Sequence, residues 1–389
     1  MIAVWKNVFK LTSVKLALLV TFVLVNVALY AHSKYLIMEN VFHHFSSNRS
    51  TLTIHNFKNS SRMHSIIPYL RNHTSLENVN SPVDEYEFLT PQQRQFFQKK
   101  VITPHNFRYI VTPNVTCSNR YIELVICVVV SNTNHIGRSI IRETWGSYAY
   151  DKENNALIVF FIGSRRDIHN RHQRKILHAK IQEEASIFGD ILQEDFIDSY
   201  ENLSLKSVSI LKWVKTFCPN TQFVLKVDDD MYVNIPFMIT ILREQVLDRT
   251  TPSAFIMGSM QEGAQPMRNP TSKWYTPYSL FQEDTYPNYV SGTAYVMTGQ
   301  AASLLYEVSL RIPKFWLEDI YITGLCSREV DVKLYNSGYF TYRKPIAIGC
   351  NFRSHVSGHR YSHEEILNIH KELYDPNISC ARFSKVIFP

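Results

Sequence analysis

From residue 122 onward, short apolar runs alternate with longer amphipathic stretches. The run at 122–130 is apolar except for Glu123, which is typical of a strand buried on both faces. Residues 157–162 and 223–227 have the same character and predict two more buried strands. Amphipathic patterns predict helices at 138–145, 167–187, 203–217 and 236–245. This alternation predicts an α/β domain whose ligand lies beyond the carboxyl ends of the strands.

An apolar run of another kind lies near the N-terminus. Residues 16–33 carry no Asp, Glu, Lys or Arg over 18 positions, and as a helix they would span about 27 Å, close to the thickness of a thin bilayer. Because Lys6, Lys10 and Lys15 precede the run, the positive-inside rule predicts a cytosolic tail at 1–15, a transmembrane signal-anchor at 16–33 and a lumenal remainder. A cleaved signal peptide is the alternative, but the end of the run forms a poor cleavage site.

Glycine and cysteine divide the lumenal part in two. All twelve glycines lie between Gly137 and Gly358, and all six cysteines lie from Cys117 onward. Residues 34–115 have neither and are rich in Ser, Asn and His, which predicts a lumenal stem followed by a folded domain at 116–389. Around 91–100 the stem is expected to be partly helical, with Phe96 and Phe97 against the domain. Cysteines in an oxidising lumen favour disulfides, and Cys350 with Cys380 is the first candidate pair.

The distribution of charge excludes a nucleic-acid-binding domain. The net charge of +7 comes from the first 15 residues and the stem, whereas residues 116–389 hold equal numbers of basic and acidic residues. A domain that binds DNA or RNA carries a basic surface. Sequons for N-glycosylation fall only on the predicted lumenal side, at Asn48, Asn59, Asn72, Asn114, Asn202 and Asn377. We therefore expect a glycoprotein of the secretory pathway.

Three carboxylates directly follow the third apolar run, at Asp228, Asp229 and Asp230. In extended backbone, Asp228 and Asp230 point to one face and Asp229 points to the other. Carboxylates this close repel one another unless a cation lies between them, and oxygen ligands favour Mn²⁺ or Mg²⁺. A solvated acidic turn is the alternative. In a membrane-tethered α/β domain, a metal site at a strand end indicates a glycosyltransferase that uses a nucleotide sugar, with the ion between the aspartates and the diphosphate.

Seven short blocks, one of them around this cluster, occur along the predicted domain. They are Arg138–Gly146, Phe161–Gly163, Glu194–Lys206, Phe223–Asn234, Lys273–Tyr275, Tyr286–Tyr295 and Leu317–Tyr321. In this order the blocks resemble those of the β-1,3-galactosyltransferases and β-1,3-N-acetylhexosaminyltransferases, which form glycosyltransferase family 31. The resemblance implies a GT-A type α/β fold, a UDP-sugar donor, Mn²⁺ and inversion at the anomeric carbon.

The resemblance also implies roles for single residues. Inversion needs a base that deprotonates the acceptor hydroxyl, and Asp319 matches the family's base, with Glu318 as its neighbour. An acidic pair that caps a helix is the alternative. His359 matches a histidine that completes the metal shell of Asp228 and Asp230.

Further positions are expected to hold the donor or to shape its pocket. They are Arg138, Arg142, Lys226, Asp228, Asp229, Tyr289, Ser291 and Gly292. A buried ion pair is the alternative role for Arg142, and simple packing is the alternative for Lys226. Gly292 has the plainest physical reason, because a larger residue would block a close backbone approach.

The expected function is that of a Golgi type II β-1,3-galactosyltransferase that uses UDP-galactose and Mn²⁺ and acts on a glycoprotein or glycolipid acceptor. The stretch from Ser291 to Thr293 favours galactose, whereas Ala294 and the position of Gly324 depart from the family pattern. UDP-GlcNAc and UDP-GalNAc are therefore alternative donors. An alternative of another class is a catalytically inactive lumenal glycan-binding protein or chaperone.

Overall fold

The structure, a computed structural model, describes residues 89–115, 117, 121–248 and 250–380. The predicted tail at 1–15, the signal-anchor at 16–33 and most of the predicted stem lie outside the described residues. Among the helices that are described, none is both long and apolar enough to cross a membrane.

A mixed β-sheet forms the centre of the described domain. Its strands are β1 (Tyr109–Val111), β2 (Leu124–Val129), β3 (Ala156–Ser164), β4 (Ile191–Ile197), β5 (Phe223–Asp228), β7 (Phe255–Gln261), β8 (Tyr289–Thr298) and β9 (Lys333–Asn336), in the order β1-β4-β3-β2-β5-β8-β7-β9. Strands β4, β3, β2 and β5 are parallel to one another, and β8 is antiparallel to β5 and β7. A separate antiparallel pair joins β6 (Tyr232–Val233) to β10 (Ser357–Gly358). The predicted α/β class and the three predicted strands are confirmed.

Helices cover both faces of this sheet. They are α1 (Pro91–Phe97), α2 (His135–Glu143), α3 (Arg171–Phe188), α4 (Leu203–Phe217), α5 (Ile235–Leu247), α6 (Gly299–Ser309), α7 (Ser327–Val330) and α8 (His363–Tyr374). A π-helix occupies Ile320–Cys326, and 3₁₀ turns occupy Trp145–Tyr150, Tyr200–Asn202 and Gly349–Arg353. The four predicted helices are confirmed as α2 to α5. Local chemistry sets their ends: Asn134 Oδ1 accepts the Gly137 N–H at 3.0 Å to cap α2, and α3 stops at Gly189, whose φ of 66° favours glycine.

The burial of β2 explains its unbroken apolar run. Its odd-numbered positions, 125 to 129, enter the hydrophobic core under α4 and α6, and its even-numbered positions, 124 to 128, enter the core under α2, α5 and α8. Both faces of the strand are therefore buried, as the sequence predicted.

The folded domain begins earlier than the predicted boundary at residue 116. Phe96 is buried, and Gln93 Nε2 donates to the carbonyl of Val330 at 3.0 Å. Strand β1 extends the sheet by pairing with β4. Residues 89–115, assigned to the stem from their composition, therefore belong to the compact unit Asp84–Pro389. The distribution of glycine and cysteine did not reveal this, because residues 89–115 contain neither residue and still pack against the domain.

Two disulfides tie the domain together. Cys350 is bonded to Cys380, as predicted, and Cys117 is bonded to Cys218 at the end of α4. The thiols of Cys127 and Cys326 are free and buried.

Candidate active site

The candidate site lies at the carboxyl edge of the parallel strands, where β5 ends in Asp228. Lys226, two residues earlier, is buried on the same strand, and its Nζ lies 2.7 Å from Asp228 Oδ1 and 3.5 Å from Glu318 Oε2. The same ammonium donates to the carbonyl of Gly292 on β8. Burial alone would lower the pKa of Lys226, but the charges of Asp228 and Glu318 outweigh it and raise the pKa. The ammonium of Lys226 therefore stays charged, and it links Asp228 on β5 to Glu318.

Asp228, Asp230 and His359 come together as a group that fits a divalent cation. One ligand atom of each lies within 4.8 Å of the others. The pairing of β6 with β10 sets Gly358 opposite Tyr232, which places His359 Nε2 at 3.2 Å from Asp230 Oδ2. His359 Nδ1 lies 3.2 Å from the carbonyl of Tyr342, which can only accept, so Nδ1 donates to it and Nε2 faces Asp230, where it would bind an ion in its deprotonated form. Two carboxylates and one imidazole are ligands that suit a divalent cation.

Burial changes the acid–base behaviour of this group. It raises the pKa of Asp228 to about 6, against the opposing charge of Lys226. Burial would lower the pKa of His359, but the hydrogen bond and the charge of Asp230 raise it. Asp229 lies outside this group of ligands, and Asn134 Nδ2 donates to its Oδ2 at 2.7 Å. Asp229 therefore joins the acidic cluster to the first turn of α2.

Glu318 and Asp319 lie against Gly292 and have different surroundings. Glu318 Oε1 accepts hydrogen bonds from Ser207 Oγ at 2.7 Å and Tyr295 Oη at 2.8 Å. Among the described residues, Asp319 accepts hydrogen bonds only from backbone N–H groups, from Ile320 at 2.9 Å and from Gly292 at 3.3 Å. Asp319 Oδ1 therefore caps the helix that follows, as in the alternative role, whereas Oδ2 accepts from the N–H of Gly292. Burial, followed by the charge of Glu318, raises the pKa of Asp319 to about 6.

Gly292 permits this arrangement. A Cβ at this position would lie 2.8 Å from Glu318 Oε2 and 3.2 Å from Asp319 Cβ. The close approach expected from the sequence is therefore present, and it is made by acidic side chains. Ser291 is buried beside it, and the half-buried Tyr289 begins the same strand.

Arg138 and Arg142, expected to hold the nucleotide or to shape its pocket, make buried ion pairs, which is the alternative role expected for Arg142. Arg142 makes two hydrogen bonds of 2.8 Å to Asp190 and one of 2.8 Å to Glu184. Arg138 binds Glu184 at 2.6 Å and 2.8 Å and the carbonyl of Ser131 at 2.9 Å. Both guanidinium groups are buried. They fasten α2 to α3, and Arg138 also fixes the loop that follows β2.

A buried ion pair at the same edge was not assigned from the sequence. Lys206 Nζ lies 2.7 Å from Asp198 Oδ1 and donates to the carbonyl of Val130 at 2.8 Å. The N–H of Gly163 donates to Asp198 Oδ2 at 3.3 Å. These contacts join the ends of β2, β3 and β4. Both charged residues stand in the block Glu194–Lys206, so the signal was present, but spacing alone does not show that they meet.

Comparisons with known proteins show which proteins this chain is similar to. The family model described as Galactosyltransferase matches residues 137–338. Human beta-1,3-galactosyltransferase 1 is 31% identical over 293 residues, which cover 74% of this chain and 86% of that protein. Mouse beta-1,3-galactosyltransferase 2 is 30% identical over 285 residues, covering 72% of this chain and 66% of that protein. Rat lactosylceramide 1,3-N-acetyl-beta-D-glucosaminyltransferase is 26% identical over 315 residues, covering 80% and 81%. Among solved structures, galactosyltransferase LgtC in complex with donor and acceptor sugar analogs has a TM-score of 0.34 at 10% identity, covering 64% of this chain and 96% of that one.

Proposed function

This chain belongs to the galactosyltransferase family, and on that premise we propose that it is an inverting β-1,3-galactosyltransferase with a GT-A type domain. It moves galactose from UDP-galactose to a hydroxyl of a glycan on a glycoprotein or glycolipid, with Mn²⁺. One observation supports this most directly. The group that fits a cation and the candidate base, Asp319, are joined through Lys226 and Gly292 at one edge of the sheet.

Asp319 and Glu318 have different roles in the proposed reaction. Asp319 takes the proton of the acceptor hydroxyl, whose oxygen forms the new bond to the anomeric carbon as the bond from that carbon to the diphosphate breaks and UDP leaves. A carboxylate with a pKa of about 6 is a stronger base than an ordinary aspartate and is still ionised near neutral pH. Glu318, held by Ser207 and Tyr295, positions Lys226 and is not free to take the proton.

Asp228, Asp230 and His359 would hold the cation. When bound, Mn²⁺ supplies positive charge that stabilises the departing diphosphate. Lys226 keeps Asp228 oriented for this task.

We also propose that the chain acts in the Golgi lumen as a type II membrane protein anchored by residues 16–33. The uncharged run after three lysines and the lumenal sequons support this placement. Protease protection of the folded domain in intact Golgi vesicles, and its loss after detergent, would test it.

A second donor has support of its own. The rat relative, whose name describes N-acetylglucosamine transfer, is similar over 80% of this chain, which favours UDP-GlcNAc as the alternative, with UDP-GalNAc as a further one.

The alternative of another class is a catalytically inactive glycan-binding protein. The presence of Asp228, Asp230 and Asp319 together argues for an active enzyme.

The test is UDP release by the purified full chain from UDP-galactose, UDP-GlcNAc and UDP-GalNAc, with methyl β-glycosides as acceptors and with Mn²⁺ or EDTA. Release from UDP-galactose that needs acceptor and stops with EDTA is the expected result. Preference for an N-acetylated donor would overturn the galactose assignment. Binding of Mn²⁺ and UDP with no transfer from any donor to any of these acceptors would favour the binding protein.

A further inference from the structure

Three aromatic side chains form a group beside the candidate base. Trp274 Nε1 donates to Tyr200 Oη at 3.2 Å. The ring of Trp316 lies 6.3 Å from that of Tyr200, at an angle of 65°. Tyr200, Trp274 and Trp316 are called the aromatic shelf below.

The shelf is fixed in place and yet open to solvent. The exposed fractions are 47% for Tyr200 and 42% for Trp274. The ammonium of Lys273 lies 4.6 Å from the centre of the Trp274 ring, which holds that ring further. Large rings that are exposed and restrained lose little entropy when a ligand covers them, so they are suited to binding.

The shelf lies near the reaction centre. Trp316 precedes Glu318 and Asp319 by two and three residues in the chain. Tyr200 begins the turn that follows β4, at the carboxyl edge of the sheet. Its phenol lies within the electrostatic reach of Asp319 and Asp228, whose charges add to burial in raising its pKa.

We propose that the aromatic shelf binds the sugar ring of the acceptor and presents its hydroxyl to Asp319. A pyranose has an apolar face of C–H groups that packs on aromatic rings, and its hydroxyls at the rim can bond to Lys273 and to the phenol of Tyr200. The inference rests on the proposed function, since that function places the diphosphate at Asp228, Asp230 and His359 and leaves the side of Asp319 for the acceptor.

The test replaces Trp274 in the full chain. Trp274→Ala is expected to raise the KM for the methyl β-glycoside acceptor by about tenfold, the loss of one aromatic contact, with the Kd for Mn²⁺–UDP unchanged. Trp274→Phe keeps a ring but loses the N–H, so it should recover most of the affinity. Tyr121→Ala is the matched control, because Tyr121 is 55% exposed and precedes β2 at the opposite edge of the sheet.

Two results would overturn the proposal that the aromatic shelf binds the acceptor sugar. An unchanged acceptor KM in Trp274→Ala would show that the ring does not bind the acceptor. A rise in the KM for the donor instead would make the shelf part of the nucleotide site. Failure of the proposed function looks different, since the wild type itself would then transfer no sugar. In that case saturation-transfer NMR with the same glycosides decides: loss of signal in Trp274→Ala but not in Tyr121→Ala supports the shelf, and equal signals refute it.

Discussion

At the scale of single residues, Gly292 is the point where the two acidic side chains and the lysine meet. Alanine at this position would place a Cβ 2.8 Å from Glu318 Oε2 and displace the carboxylates. We expect kcat/KM for transfer to fall by about 10²-fold, as for other displacements of about 1 Å at a reacting centre. Gly338→Ala is the control, because a Cβ there meets nothing within 4 Å. Steady-state kinetics of the two variants make the comparison, and equal activity would contradict this account of Gly292.

A second pair of variants distinguishes the role of Asp319 as the base from the role of Asp230 as a metal ligand. Asp319→Asn removes the proton acceptor, so transfer is expected to fall by about 10²–10⁴-fold while Mn²⁺–UDP still binds. Asp230→Ala removes a ligand and is expected to abolish binding that depends on the metal. Calorimetric titration with Mn²⁺–UDP measures the difference. If both variants lost UDP binding equally, the division of roles would be refuted.

The raised pKa of Asp319 predicts the pH dependence of the reaction. The base acts as the carboxylate, so kcat/KM rises with pH through about 6 and levels off above it, at a higher pH than an ordinary aspartate would give. Acid also protonates Asp228, whose pKa is raised to about 6, so the profile is measured at saturating Mn²⁺. A rate that stays constant from about pH 5 to pH 8 would be inconsistent with this base.

At the scale of elements, the buried pairs of Arg142 hold α2 against α3 and the start of β4. Arg142→Met leaves Asp190 and Glu184 buried without this partner, and we expect the free energy of unfolding to fall by about 3–5 kcal/mol. Arg165→Met breaks an exposed pair with Asp167, 2.9 Å long, and should cost less than about 1 kcal/mol. Urea unfolding measures both. A loss of UDP binding in Arg142→Met without loss of stability would support the nucleotide-binding role.

Elements whose pattern is local were predictable, and elements defined by distant partners were not. Continuous apolar runs identified β2, β3 and β5, and the run of carboxylates at the end of β5 pointed to the group that fits a divalent cation. The two-residue strands β6 and β10 have no pattern of their own, yet their pairing brings His359 to Asp230. In the same way, nothing near Glu318 in the sequence shows that Ser207 and Tyr295 bind it. The family resemblance pointed to Asp319 and His359, but the residues that contact them became known only from the fold.

At the scale of the whole molecule, the two disulfides close loops of different length. Cys117 and Cys218 are 101 residues apart, and Cys350 and Cys380 are 30 apart. Because a bridge restricts the unfolded chain more when its loop is longer, replacing the first pair with serine should lower the free energy of unfolding by about 5 kcal/mol and replacing the second by about 4 kcal/mol. Urea unfolding of the two double variants, with the oxidised wild type as reference, measures this order. A larger loss for Cys350→Ser/Cys380→Ser would show that native contacts of the closing segment, and not chain entropy, set the stability of the domain.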